Sequence, residues 1–252
     1  MAPLLSLTEV TKSYLDGHQR VVVLDRISLE IDPGDYLGVW GPRRGGKSTL
    51  LKIAAGIEPP DAGTVCFDGQ VVTAMSSRER SWLLRSGGVA LVTSEWRSQV
   101  NRATVDLVAT ACMGDGTQLR VARRRARRAL TQVGAGDQAD MRVEQLALCE
   151  RIRVGLAMAL VREPRLLIVD EPAVLSSPSE SEALYELLRS LGRSRELAVV
   201  VASGELSAIH GAQRIMRISH GGVLSTDEPG VILPFPDRSQ VGRHPKAGDS
   251  GL

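Results

Sequence analysis

The run Gly41-Pro42-Arg43-Arg44-Gly45-Gly46-Lys47-Ser48 fits the pattern GxxxxGK followed by Ser or Thr, and its setting constrains the fold more than any other feature. The apolar stretch Tyr36–Trp40 before it predicts a buried strand. Ser48–Ala55 after it, with Leu50, Leu51, Ile53 and Ala54, predicts a helix stopped by Gly56. Strand, Gly-rich turn and helix in that order present the backbone N–H groups around Gly45, Gly46, Lys47 and Ser48 to a phosphate, and the helix dipole adds partial positive charge there. Gly41 opens the turn, Lys47 is placed to neutralise β- and γ-phosphate oxygens, the Ser48 hydroxyl to ligate Mg²⁺, and Thr49 follows them into the helix.

A second element stands about 125 residues downstream. In Leu166-Leu167-Ile168-Val169-Asp170-Glu171, four apolar residues predict a buried strand whose C-terminal end presents two adjacent carboxylates. Nucleotide chemistry belongs at that edge of an open α/β sheet. Asp170 is assigned to the Mg²⁺ shell, and Glu171 is assigned as the general base that polarises an attacking water.

The rest of the chain supports this frame. Leu4–Leu7, Val21–Leu24, Ile27–Ile31 and Thr64–Phe67 read as strands and hairpins. Between Arg78 and Leu160 the pattern is largely helical, interrupted by the β-like Val89–Thr93. Six arginines in Arg120–Val133 share a helix with Leu119, Ala122, Ala126, Leu130 and Val133, which predicts a solvated face over an apolar underside. Leu166–Val169 and Leu197–Ala202 are buried-strand candidates joined by a helix that starts at Ser177-Pro178-Ser179-Glu180, with Ser177 as its N-cap, implying a right-handed parallel crossover. From Pro229 onward, four Pro and four Gly in 24 residues predict a flexible tail.

Composition removes several function classes. The 31 Lys and Arg nearly balance 29 Asp and Glu, and the chain holds only eight aromatic residues, which disfavours a nucleic-acid partner. Among the basic residues 27 are Arg, so Lys47 is one of only four lysines. The longest apolar runs have six residues, against about 20 for a membrane span. The sequence start lacks the basic and apolar regions of a signal peptide. Cys66, Cys112 and Cys149 are scattered with no metal-ligand spacing, as in a reducing cytosol.

With both motifs and a helical insert between them, the chain resembles the nucleotide-binding domain of ABC transporters over about residues 4–228. It looks closest to the ATPases of lipoprotein-release and macrolide-efflux type exporters, through Val10-Thr11-Lys12-Ser13-Tyr14, Leu24-Asp25-Arg26-Ile27-Ser28-Leu29, and Gly63-Thr64-Val65 with Asp68-Gly69. The resemblance implies an α/β fold: a P-loop NTPase core with a mixed sheet, an N-terminal antiparallel β subdomain and an inserted helical subdomain at about residues 95–160. Residues 1–228 form the domain and 229–252 the tail. It also implies ATP and Mg²⁺ as cofactors, a transmembrane permease and a second ATP-binding subunit as partners, and a peripheral place on the cytoplasmic face of the membrane. Tyr14 corresponds to the aromatic residue that stacks on adenine.

Several elements that finish the family's site are altered. The glutamine at the entrance of the helical insert aligns with Ser94, beside Glu95. The LSGGQ signature aligns with Leu146-Ala147-Leu148-Cys149-Glu150, so both glycines are lost and a negative charge is gained. The histidine that contacts the γ-phosphate aligns with Ser203, and the D-loop aspartate with Ser177. Arg43 and Arg44, counted with the nucleotide-binding loop, stand where the family has a small residue and Gly; if position 44 is left-handed, a non-glycine there costs about 1–2 kcal/mol, partly offset where Arg44 reaches phosphate and not where it faces solvent. The expectation is an ATP-binding subunit of low or partner-dependent hydrolysis in an asymmetric dimer. The alternative is a non-hydrolysing, nucleotide-responsive regulatory module attached to a membrane protein complex.

Overall fold

The computed structural model describes residues 2–86, 88–93, 102–113, 116–172, 178–193, 197–219 and 222–227. Strands β1 (Leu5–Asp16) and β2 (Gln19–Ile31) form a long antiparallel hairpin, followed by β3 (Tyr36–Trp40) and helix α1 (Lys47–Ala54). Next come β4 (Ala62–Phe67), β5 (Gln70–Val71), α2 (Ser77–Arg85) and β6 (Val89–Thr93). Three helices follow, α3 (Thr104–Thr110), α4 (Leu119–Gln132) and α5 (Leu148–Leu160), and then β7 (Leu166–Asp170), α6 (Pro178–Gly192), β8 (Ala198–Ser203), β9 (Arg214–Ser219) and β10 (Gly222–Asp227).

The strands make two sheets. One is antiparallel in the order β2-β1-β4-β5; the other runs β10-β9-β3-β8-β7-β6, parallel throughout except for the β9–β10 hairpin. The expected α/β class, with a mixed sheet, an N-terminal antiparallel layer and an inserted set of helices, is therefore the observed one. Val21–Leu24 and Ile27–Ile31 prove to be parts of the single strand β2, whose pairing with β1 is shifted by irregularities between Leu7 and Ser13.

Alternation along the central strands explains why the sheet is covered on both faces. Leu37 and Val39, Leu166 and Ile168, and Ala198, Val200 and Ala202 enter a core shared with α1 and the antiparallel sheet. Their neighbours Tyr36 and Trp40, Leu167 and Val169, and Val199 and Val201 enter a second core with α3 to α6. Successive side chains of a strand point to opposite faces, so an unbroken apolar run requires two covered faces. All five residues of β3 and of β7 are buried.

Helix α4 carries its arginines outward above Ala122, Ala126, Ala129 and Leu130, which are buried. Arg123 binds Asp106 through two hydrogen bonds of 2.6 and 3.0 Å, and Arg127 binds Asp140 through two of 3.2 and 2.6 Å. Leu119, expected on the apolar underside, is instead exposed at the first position of the helix, where the chain is only entering the packed layer. Strands β9 and β10 had no counterpart in the sequence reading.

Candidate functional site

The loop between β3 and α1 is built around contacts that leave no room for other residues. A Cβ on Gly41 would lie 2.2 Å from the backbone carbonyl oxygen of Ile218 on the neighbouring strand β9. Gly46, the residue before α1, has φ 99°, and a Cβ there would approach the Val23 carbonyl oxygen to 2.8 Å. The Gly41 N–H also donates to the Ser203 carbonyl at 3.4 Å, tying the start of the loop to the end of β8. Because the obstacle to a side chain at position 41 is backbone, Gly41→Ala is expected to cost about 3 kcal/mol of stability, read by denaturant unfolding; an unchanged midpoint would show that β9 yields easily.

Between Gly41 and Gly46 the chain makes a tight turn, closed by Gly45 N–H donating to the Pro42 carbonyl at 3.1 Å. Arg43 and Arg44 occupy its two central positions, both exposed. Arg44 has φ 62°, so the left-handed backbone that usually selects glycine at the third position of such a turn is adopted here by arginine. The associated strain is about 1–2 kcal/mol. Neither arginine forms an ion pair or hydrogen bond among the described residues.

Lys47 lies beneath this turn, only 4% exposed, and its ammonium donates to the carbonyls of Gly41 (2.9 Å) and Pro42 (3.0 Å). Its third partner is Glu171 Oε1, 3.0 Å away. No side chain caps the N-terminus of α1, which leaves the first N–H groups of that helix open to an anion.

Asp170 and Glu171 arrive at the same place from β7. Glu171 has φ 47° and donates its N–H to the Ala202 carbonyl at 2.9 Å, which turns its side chain out of the strand line toward Lys47. Asp170 is buried, and burial first, then the neighbouring Glu171 charge, raise its pKa; the Ser48 hydroxyl, Lys47 and Lys52 oppose the rise. The Ser48 hydroxyl lies near the Asp170 carboxylate, whose Oδ1 is buried with no hydrogen-bond partner. A buried carboxylate oxygen without a partner, beside a hydroxyl, is a donor pair suited to a hard divalent cation such as Mg²⁺.

Tyr14 closes one side of the site. Its hydroxyl donates to Glu58 Oε1 (2.7 Å) and lies 3.4 Å from the Thr49 hydroxyl, and the Lys12 ammonium sits 5.7 Å from its ring centroid. Lys12 in turn holds the Pro59 carbonyl at 2.8 Å and stands 3.3 Å from Asp61 Oδ1. Asp61 Oδ2 accepts from the Ser13 hydroxyl (2.6 Å) and amide (2.9 Å). The Ser13 hydroxyl above all, then the amide and Lys12, lower the Asp61 pKa to about 2. Since the folded value lies below the unfolded one, this stabilisation is complete above about pH 4 and lost as pH falls toward 2. Asp61→Asn is expected to cost at most about 1 kcal/mol near neutrality, given solvent screening, with acid-unfolding curves that converge with wild type near pH 2.

The structure thus brings Gly41, Gly45, Gly46, Lys47, Ser48, Asp170 and Glu171 together, with Arg43 and Arg44 over Lys47 and with Tyr14 and Thr49 at the flank. Ser203 is buried at the end of β8, and its hydroxyl accepts from the Glu205 amide at 3.0 Å. Ser94, Glu95 and Ser177 lie outside the described residues, as does the tail from Pro229.

At the position of the signature, Leu146 is buried, Leu148 is exposed, and α5 begins immediately after Ala147. Glu150 Oε2 accepts the Ala147 N–H at 2.8 Å, and its Oε1 accepts from Gln138 at 3.0 Å. The carboxylate folds back on the residue before its own helix, placing negative charge at the N-terminus of α5. The sequence reading missed this cap because Ala147 lacks the side-chain oxygen of a capping pair; the Glu three residues after it was the available signal. It also missed the roles of Glu58, Ala202 and Ile218, which act through long-range contacts with no local pattern.

The ABC transporter family profile matches residues 24–174, a span that holds the phosphate loop and both carboxylates. The lipoprotein-releasing system ATP-binding protein LolD of Pseudomonas syringae pv. tomato is 30% identical over 217 residues, covering 86% of this chain and 95% of that protein. The macrolide export ATP-binding/permease protein MacB of Syntrophobacter fumaroxidans is 29% identical over 240 residues; the match covers 94% of this chain but only 33% of that longer protein. Among solved structures, the ATP-binding cassette MJ0796, described as a dimeric post-hydrolysis state bound to ADP and Pi, superposes with TM-score 0.81 at 22% identity, covering 90% of this chain and all of that one. The same fold, a family match through both motifs and a full-length relative at 30% identity give one assignment: the chain belongs to the ABC transporter family.

Proposed function

We propose that this chain is the ATP-binding subunit of an ABC transporter, coupling ATP binding and slow, partner-dependent hydrolysis to a membrane permease. The observation that carries the reading is the convergence of an open helix N-terminus, Lys47, Ser48, Asp170 and Glu171 at one sheet edge. The amides around Gly45 to Ser48 cradle the β-phosphate. Lys47 exchanges its bonds to the Gly41 and Pro42 carbonyls and to Glu171 for phosphate oxygens. Ser48 and Asp170 would hold Mg²⁺, which would supply positive charge to the phosphates. Glu171, relieved of Lys47, accepts a proton from the attacking water. Tyr14 offers a ring to the adenine, with Thr49 beside it.

The names of LolD, an ATP-binding protein of a lipoprotein-releasing system, and of MacB, an ATP-binding/permease protein, support a permease partner. The dimeric structure of MJ0796 supports a second ATP-binding subunit. Among the described residues no helix is long and apolar enough to cross a membrane, in keeping with a subunit held at the cytoplasmic face by that permease. In this reading the domain spans residues 1–228, with the helical subdomain at about 95–160 meeting the permease, and 229–252 is an appended tail.

The Glu150 cap favours an asymmetric pair. A carboxylate folded back onto the Ala147 N–H puts negative charge at the N-terminus of α5, which makes that end a poor donor to a partner's nucleotide. The same observation also suits the alternative of a regulatory module that closes on ATP without useful turnover. Phosphate release by the purified chain, alone and with a second ATP-binding subunit of intact signature, tests the reading. Mg²⁺-dependent ATP binding with at least tenfold faster release in the mixed pair is expected; a homodimer with full turnover would overturn the asymmetry.

A further inference from the structure

We infer that Arg43 and Arg44 supply, from within this chain, cationic contacts to the terminal phosphate of a bound nucleoside triphosphate. This rests on the ATP-binding reading above and deepens it. The two residues are the central pair of the turn whose first carbonyl, that of Pro42, accepts both the Gly45 N–H and the Lys47 ammonium. The turn therefore folds directly over the lysine that marks the phosphate site, and its tip carries two guanidinium groups.

Charge balance at the loop points to a polyanion. The Lys47 charge is met by Glu171 at 3.0 Å, whereas Arg43 and Arg44 are exposed and form no ion pair among the described residues. From Gly41 to Glu58 the sequence holds four cations, Arg43, Arg44, Lys47 and Lys52, before its first acidic residue. Two unmatched fixed charges favour the more negative of two ligands in the same site, a triphosphate over a diphosphate.

Backbone strain gives an independent reason. Arg44 holds φ 62°, a conformation that glycine would adopt freely at that turn position. Strain of this kind gathers where the side chain has a task. Where the family resemblance assigns a histidine to the terminal phosphate, this chain has Ser203, a shorter and uncharged side chain at the end of β8 whose hydroxyl accepts from the Glu205 amide. Planar, permanently charged guanidinium groups are suited to replace such a donor.

The experiment is calorimetric titration of the full-length chain with Mg²⁺ and either a non-hydrolysable ATP analogue or ADP. It compares wild type, Arg44→Gly and the double variant Arg43→Ala/Arg44→Gly, with the Tm of each ligand-free protein recorded. The double variant is expected to lose at least tenfold in affinity for the triphosphate and less than threefold for ADP, while Arg44→Gly raises the ligand-free Tm. That split separates a phosphate contact from a purely structural residue, because glycine relieves the strain yet weakens binding. An unchanged ratio of triphosphate to diphosphate affinity would overturn the inference while leaving nucleotide binding intact. A wild-type chain that binds neither ligand would overturn the ATP-binding reading, and this inference with it.

Discussion

Glu171→Gln is expected to slow phosphate release by about 100- to 10,000-fold while nucleotide affinity stays within a few-fold of wild type. Gln keeps the size and the hydrogen-bonding reach of the side chain, so the Glu171 N–H contact with Ala202 and the positive-φ turn have no reason to change. What disappears is the carboxylate that accepts a proton. Its removal also takes away the charge that holds Lys47 at 3.0 Å in the ligand-free protein, which favours release of the lysine to phosphate. Phosphate release under conditions where the wild-type chain turns over, with its partner present, is the measurement. Equal rates for variant and wild type would move the chain to the non-hydrolysing alternative, in which Glu171 is only the counter-ion of Lys47.

The second large effect falls on binding. Lys47→Ala is expected to weaken ATP binding by at least 100-fold, as the loss of a buried charge directed at a multiply charged ligand requires. A ligand at 100 times its dissociation constant stabilises the folded state by about 2.7 kcal/mol, and this increment should vanish in the variant. The ligand-free protein should also lose about 1–2 kcal/mol, because the Gly41 and Pro42 carbonyls give up the donor that joins them. Thermal unfolding with and without Mg²⁺ and ATP separates the two terms. A variant stabilised by ATP as strongly as wild type would place the phosphate site away from this loop.

Much of the fold could be read along the chain where one element carries its own pattern. Tyr36–Trp40 and Val89–Thr93 are strands with the expected limits, because each is a short apolar run bounded by turn residues. At β8 the limits move by one residue to Ala198–Ser203: Ser203 is polar, but it sits in the middle of the sheet, paired with Trp40. Strand β9 has no clear local pattern because Arg217 interrupts Ile215, Met216 and Ile218 and Arg214 opens the strand, and burial of Arg217 depends on packing against Trp40 that no local window contains. At the site, residue types and spacing sufficed for Gly41 to Ser48, Asp170 and Glu171. The ion pair between Lys47 and Glu171, the Glu150 cap and the tether of Tyr14 to Glu58 depend on side chains from separate elements, so they become legible only in three dimensions. The left-handed backbone at position 44 was a conditional expectation from the motif, and arginine does adopt it.

The 2.2 Å approach of a notional Gly41 side chain to the Ile218 carbonyl has a consequence for what counts as the motif. Eight consecutive letters identify the loop, but its wall is backbone from a strand 177 positions later, contributed through a carbonyl that no consensus of side chains records. A fragment ending before Arg214 would carry every recognised residue and still lack the surface against which the loop turns. Chain completeness, rather than motif completeness, decides whether this phosphate cradle exists.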